Sequence, residues 1–303
     1  MSDRKDRLDG LAVTLLIACC ALWGLNQVAT KVALADVPPL TQAALRSAGA
    51  ALLLWAWSVH RGVPLWARDG TWRAGLLAGV LFGLEFGAMF TGLLYTTASR
   101  MIVFLYLAPF LVAVGMPFIA PAERLDRWQT LGLVVAFGGV VWAFAEGFGA
   151  RQGESRQWLG DALGIVAALL WGATTLVMRG SRLASAPPEK TLLYQLAVSA
   201  LALGAAAWVS GERWAWQARP LTWGAMGFQT VIVTFASYLT WFWLVRHYPA
   251  TRISAFTLLT PVFGLLAGVM LLGEPATPRL MVALAAVSCG IALVNRVGRR
   301  AAA

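Results

Sequence analysis

Residues Ala98–Glu123, ASRMIVFLYLAPFLVAVGMPFIAPAE, return in outline at Ala250–Glu274 as ATRISAFTLLTPVFGLLAGVMLLGE. Ala98, Arg100 and Pro109 recur 152 positions later as Ala250, Arg252 and Pro261, Thr251 answers Ser99, and Glu274 answers Glu123 after a one-residue slip. A repeat of this length constrains the fold more than any single motif, because one unit must be built twice and joined to itself. In each copy an Arg opens an apolar run, a Pro interrupts it, and a Glu stands just past its end. The repeated unit reads as a membrane-crossing helix with a built-in irregularity.

Composition assigns the class. Of 303 residues, 59% are hydrophobic and 13% charged, with a mean hydropathy of +0.69. This balance is that of a polytopic membrane protein. Apolar runs of about 20 residues match the ~30 Å hydrocarbon core at 1.5 Å per helical residue. Runs of that length exclude a β-barrel. The net charge of +10 does not imply nucleic acid, because the basic residues sit in turns, where anionic lipid and topology account for them. Cys19, Cys20 and Cys289 lie within apolar runs, without disulfide or metal-ligand spacing, and are assigned to packing. No cofactor or metal motif is present, and HExxH, GxSxG and P-loop patterns are missing, which argues against an enzyme.

The start of the chain imitates a signal peptide, but Asn26, Gln27, Thr30 and Lys31 interrupt the approach to any cleavage site. Trp23-Gly24 with Lys31 also returns as Trp171-Gly172 with Arg179, so the segment is expected to be a retained first helix, with Pro38-Pro39 and Pro187-Pro188 ending the paired helices. Spans are expected near 11–35, 40–59, 73–94, 100–118, 128–146, 159–178, 191–210, 222–244, 253–272 and 280–295. The fold class is thus an all-α membrane protein of ten transmembrane helices in two five-helix repeats, 1–150 and 151–303. An odd count per repeat inverts the second copy in the membrane. With the N-terminus inside, 16 of the 24 basic residues fall in inner turns, so both termini are expected to be cytoplasmic, in a cell inner membrane.

The third span, AGLLAGVLFGLEFGAMFTGLL, carries Gly75, Gly79, Gly83 and Gly87 at every fourth position, a smooth ridge suited to close helix packing. Glu85 points away from the ridge, on a stripe with Ala78, Phe82 and Met89. A carboxylate there costs about 3 kcal/mol on insertion scales, so it faces a cavity or a partner such as Lys31 or Arg46. The equivalent stripe of the eighth span carries Thr230, Thr234, Ser237 and Trp241. Trp23, which shares a face with Asn26 and Thr30, and Trp171 and Trp241 divide between packing and binding. Most other Trp residues lie near span ends as interfacial anchors. Pro109 and Pro261 interrupt the fourth and ninth spans, as hinges or static kinks. Glu123 and Glu274, just outside their spans, fit ordinary helix-end or surface roles.

The ordered set of Trp-Gly in each first helix, Arg46 in the second span, Ala108-Pro109 and Thr260-Pro261, then Ala122-Glu123 and Gly273-Glu274, resembles the EamA family of the drug/metabolite transporter superfamily. The resemblance covers nearly the whole chain and within the family is greatest to YddG-type aromatic amino acid exporters. Gln195 stands in the second half where the first has Arg46. The resemblance implies alternating access through a central cavity, with aromatic amino acids as small-molecule substrates, and export as the direction. Trp23, Asn26, Phe82, Glu85, Phe86, Met89, Tyr106, Trp171, Thr234, Ser237, Tyr238 and Trp241 are the expected binding residues. Aromatic faces would stack on the substrate and polar groups would orient its charged ends. Another amino acid or an anionic metabolite is the alternative. Lys31 and Arg46 are expected near the outer edge of the cavity, which favours a zwitterion.

Overall fold

The computed structural model describes residues 9–119, 127–149, 156–214, 217–248, 256–257 and 259–296. The described residues form helices and turns, with no strand. The helices are α1 (Gly10–Ala33), α2 (Pro39–His60), α3 (Trp72–Gly92), α4 (Ala98–Leu105), α5 (Ala108–Ile119), α6 (Arg127–Gly149), α7 (Gln157–Arg179), α8 (Pro188–Val209), α9 (Pro220–Gly227), α10 (Tyr238–His247), α11 (Leu259–Leu272) and α12 (Pro278–Arg296). Among the described residues, six stretches are long and apolar enough to cross a bilayer: Gly10–Ala33, Trp72–Gly92, Ala98–Ile119, Gln157–Arg179, Pro188–Val209 and Pro220–Leu244. Thr130–Ala143, Leu259–Leu272 and Pro278–Gly290 are shorter apolar helices. The chain is an all-helical, multi-pass membrane protein. Trp55, Trp66, Trp72, Trp128, Trp158 and Trp223 are exposed, as interfacial anchors require.

Four local expectations are corrected. Pro38-Pro39 and Pro187-Pro188 do not end helices; they start α2 and α8, where the missing N–H is an orphan in any case. The fourth span is broken at Tyr106 and Leu107, two residues before Pro109, which sits in the first turn of α5. Pro261 likewise sits in the first turn of α11. Neither ring therefore removes a mid-helix hydrogen bond, so the cost of about 3 kcal/mol for an interior proline is avoided. The eighth span is not one α-helix: α9 passes into a π-helix at Phe228–Ser237 before α10. Wider i→i+5 turns rotate the downstream side chains away from an α-periodic stripe. Cys19 and Cys20 are buried, but Cys289 is exposed and does not pack inside.

Helix packing crosses between the halves. α6 lies along α12, α2 along α8, α3 against α7 and α8, α1 against α11, and α4 and α5 against α7. The Trp-Gly pairs explain two of these crossings. A Cβ on Gly24 would fall 2.6 Å from the Gly264 backbone N, and one on Gly172 would fall 2.9 Å from Leu111 Cβ. Only a bare backbone fits there. The α3 glycine ridge packs on α8, where a Cβ on Gly79 would meet Val198 and the Tyr194 carbonyl oxygen at 2.5 and 2.7 Å. In lipid, where tails are as apolar as leucine, this close contact is a main source of helix association.

Polar contacts tie the turns at each end. At one end Asp36 binds Arg219 and Thr222, and Glu212 accepts from the Leu40 and Thr41 N–H groups at 3.1 and 2.8 Å. At the other, Lys190 donates to Asp69 at 2.8 Å, and the Tyr248 hydroxyl donates to Asp9 at 2.9 Å.

Candidate functional site

Arg46, on the second turn of α2, is fully buried at 0% exposure. Its guanidinium lies 3.8 Å over the Phe86 ring and 5.2 Å from that of Phe90, both on α3. Glu85, one residue before Phe86, is 5% exposed. The two charges are within electrostatic reach, as is Tyr238 at the head of α10. Yet all three Arg46 nitrogens and the Glu85 Oε2 lack a hydrogen-bond partner among the described residues. Tyr238 approaches the guanidinium without completing a bond of normal geometry. Desolvated cation–π contact returns about 2 kcal/mol, whereas removing an ion from water costs several kcal/mol per charge. The deficit marks a place where another polar group belongs.

Tyr238 joins this couple to the remaining expected residues. Trp23 stands edge-on to Tyr238 at 6.4 Å and to Trp241 at 5.2 Å, and its indole N–H donates to Ser237 Oγ at 2.9 Å. Tyr106 is within electrostatic reach of Cys20 and Tyr238, and stands edge-on to Trp171 at 5.8 Å. Phe82 packs on Phe86 at 4.6 Å, and Met89 Sδ accepts a weak bond from Gln27 at 3.5 Å. Thr234 is buried, and its hydroxyl has no partner among the described residues. Asn26 is buried too, but its backbone carbonyl accepts from Thr30, and among the described residues its Oδ1 has no hydrogen-bond partner. Thr30 instead belongs to a neighbouring cluster with Gln42 and Gln229.

Sequence reasoning missed a second buried charge couple. Arg100 Nη2 donates to Asp161 Oδ2 at 2.6 Å and to the Ala143 carbonyl at 2.7 Å, and Nε donates to Asp161 Oδ1 at 3.1 Å. Thr96 Oγ1 adds a bond to Asp161 at 2.6 Å. The signal was present, since Thr96 and Tyr248 are 152 residues apart and each bonds an acid near the start of the other half's first helix. Glu274 is not an ordinary end or surface group of its own span: it is buried and accepts from the Ala98 and Ser99 N–H groups at 2.7 and 2.9 Å, at the start of α4. Lys31 lies 3.8 Å from Glu274 and donates to the Thr96 carbonyl. It therefore takes no part in the Arg46–Glu85 couple. Glu123 and Arg252 lie outside the described residues.

The model of the EamA-like transporter family matches residues 10–145 and again 158–296, most of the chain. The chain belongs to the EamA-like transporter family. This EamA protein is similar to the uncharacterized transporter YvbV of Bacillus subtilis, at 28% identity over 93% of this chain and 90% of that one. It is 30% identical to protein PA1977 of Pseudomonas aeruginosa over 99% of both chains. It is also 24% identical to a probable amino-acid metabolite efflux pump of Salmonella typhimurium, over 97% of this chain and 96% of that one. Its fold matches a crystal structure without a functional description, with a TM-score of 0.65 and 22% identity over 95% of this chain and 99% of that one. The EamA protein is thus a membrane transporter, and its site is to be read as one for a small solute.

Proposed function

We propose that this EamA protein exports small amino-acid metabolites, aromatic amino acids foremost, across the inner membrane by alternating access. The observation that carries the reading is an aromatic set, Phe82 on Phe86 and Trp23 on Tyr238 and Trp241, with Tyr238 within electrostatic reach of the buried Glu85, whose Oε2 has no partner among the described residues. Aromatic faces suit a ring, and a buried charge suits an ammonium group. The Salmonella relative's name, an amino-acid metabolite efflux pump, supports the substrate class. The transport cycle rests on ten spans in two inverted five-helix repeats, 1–150 and 151–303, with both termini cytoplasmic. Support comes from the charge bias of the turns and from the cross-half helix pairing. The break before Pro109, with Pro261 as its counterpart, supplies the hinge of each half.

A second reading, carriage of an anionic metabolite, gains from the depth of Arg46. One experiment separates the two. Purified protein in liposomes is offered aromatic, aliphatic, basic and acidic amino acids, then phosphorylated and dicarboxylic metabolites. Preferential flux of phenylalanine or tryptophan is expected. Preference for phosphorylated or dicarboxylic solutes would overturn the amino-acid reading. Reporter fusions test the topology: signals at Gly180 and the C-terminus are expected in the cytoplasm, and a periplasmic signal at either would contradict the inverted arrangement.

A further inference from the structure

We propose that Arg46 is the anchor for the substrate's carboxylate and Glu85 for its ammonium, so that the couple selects an α-amino zwitterion with an aromatic side chain. This rests on the exporter reading above and adds the residue that reads the acidic end. Three observations support it. Arg46 is 0% exposed, and among the described residues none of its three guanidinium nitrogens has a completed hydrogen bond, Tyr238 only approaching, so a planar, multi-donor fork has room for a ligand acceptor. Glu85 is held on the neighbouring helix with Oε2 unbonded, near enough to feel Arg46 but without pairing to it. The Phe86 ring covers the guanidinium at 3.8 Å, a contact that takes up none of its N–H donors.

The arrangement also explains why the couple stays unpaired. A direct Arg46–Glu85 bond would have to be broken for each substrate, whereas two separated charges of opposite sign accept both ends of a zwitterion at once. With Arg46 buried, access requires α2 and α3 to part from the Phe228–His247 segment, and that separation is a step alternating access already provides. Gly49, three residues after Arg46, lets Thr230 of the π-helix approach to 2.7 Å from the position its Cβ would occupy. The contact that must open is thus close-packed, and Gln42 of α2 also donates to Gln229 of the π-helix at 3.3 Å, a bond that opening would have to break.

The test uses three probes of one shape: L-phenylalanine, 2-phenylethylamine, which lacks the carboxylate, and 3-phenylpropionate, which lacks the ammonium. Each competes with radiolabelled L-phenylalanine uptake into liposomes, and each is measured for binding by thermal shift of the purified protein. In the native protein both analogues should bind roughly 10–100-fold more weakly than phenylalanine, the range for a lost charged hydrogen bond. Arg46→Gln should bind phenylalanine and phenylethylamine alike, having lost its reading of the carboxylate. Glu85→Gln should bind phenylalanine and phenylpropionate alike. Arg46→Lys should restore part of the preference, which a merely structural role would not produce. The assignment is overturned if Arg46→Gln keeps the native preference for phenylalanine over phenylethylamine. It is also overturned if native protein carries phenylalanine but binds phenylethylamine equally well. Failure of the exporter reading looks different: native protein would then bind none of the amino acids, which removes the zwitterion assignment with it.

Discussion

Two arginines enter the helical interior of this protein, and the surroundings of each assign it a different task. Arg100 is met on every side: Asp161 takes two of its nitrogens, the Ala143 carbonyl takes another bond, and Thr96 steadies the carboxylate. Arg46 is buried as deeply, yet among the described residues it has two aromatic rings and the approaching Tyr238 hydroxyl for company and no completed hydrogen bond. A charge in a low-dielectric interior is tolerated when its bonds are complete. Arg100 with Asp161 therefore serves as a staple between the start of α4 and α7. Arg46 with Glu85 holds an interaction open, which a fold has no reason to retain unless something arrives to complete it.

The comparison is broken most forcefully at the staple. Arg100→Gln or Asp161→Asn leaves the opposite charge buried alone, and thermal or denaturant unfolding in detergent should show a loss of about 3–5 kcal/mol. A shift indistinguishable from native would remove the structural reading. Next comes Glu274→Gln, which keeps an acceptor at α4 but removes the charge facing two backbone N–H groups and the helix dipole. About 1 kcal/mol should be lost, with α4 amides exchanging faster with solvent.

A smaller, pH-dependent effect belongs to the opposite end of the bundle. The Lys190 ammonium, with the Thr71 hydroxyl, holds the Asp69 carboxyl well below the usual carboxylate range. Its proton is taken up at lower pH in the folded than in the unfolded chain. The stabilisation is therefore complete above about pH 4 and fades as pH falls further, through the folded value. Asp69→Asn should flatten the acid limb of the stability curve; an unchanged limb would place the acid sensitivity elsewhere. Least visible in stability and clearest in transport is Trp241→Ala, which should weaken aromatic flux more than flux of a small substrate. Equal loss of both would mark Trp241 as packing against Trp23.

These contrasts also show what sequence could and could not provide. The glycine ridge of α3 announced a close helix contact, and Glu85 on the far side announced a buried carboxylate, because spacing along one helix is a local property. The depth of Arg46 was not local. It depends on how α2 lies against α3 and on the π-helix at Phe228–Ser237, whose apolar and hydroxyl residues look the same as those of an α-helix. The Tyr106–Leu107 break was hidden for a similar reason: Pro109 drew attention to its own position, but the helix restarts just ahead of it. Asp161 was within reach of the 152-residue offset. It was missed because an acid near a helix start reads as an ordinary end group until the partner half is laid over it.

The central claim is that one buried arginine supports the fold and the other handles the substrate. It is tested most directly by preparing Arg46→Met and Arg100→Met together and measuring unfolding midpoint and liposome transport on the same samples. Relief of an unsatisfied charge offsets the lost cation–π contact and the loss of a counter-charge for Glu85, so Arg46→Met should melt near the native protein while its phenylalanine transport is lost. Arg100→Met should melt well below native, with Asp161 left unpaired. If Arg46→Met fell as far as Arg100→Met, or transported phenylalanine at the native rate, the division of labour between the two arginines would be contradicted.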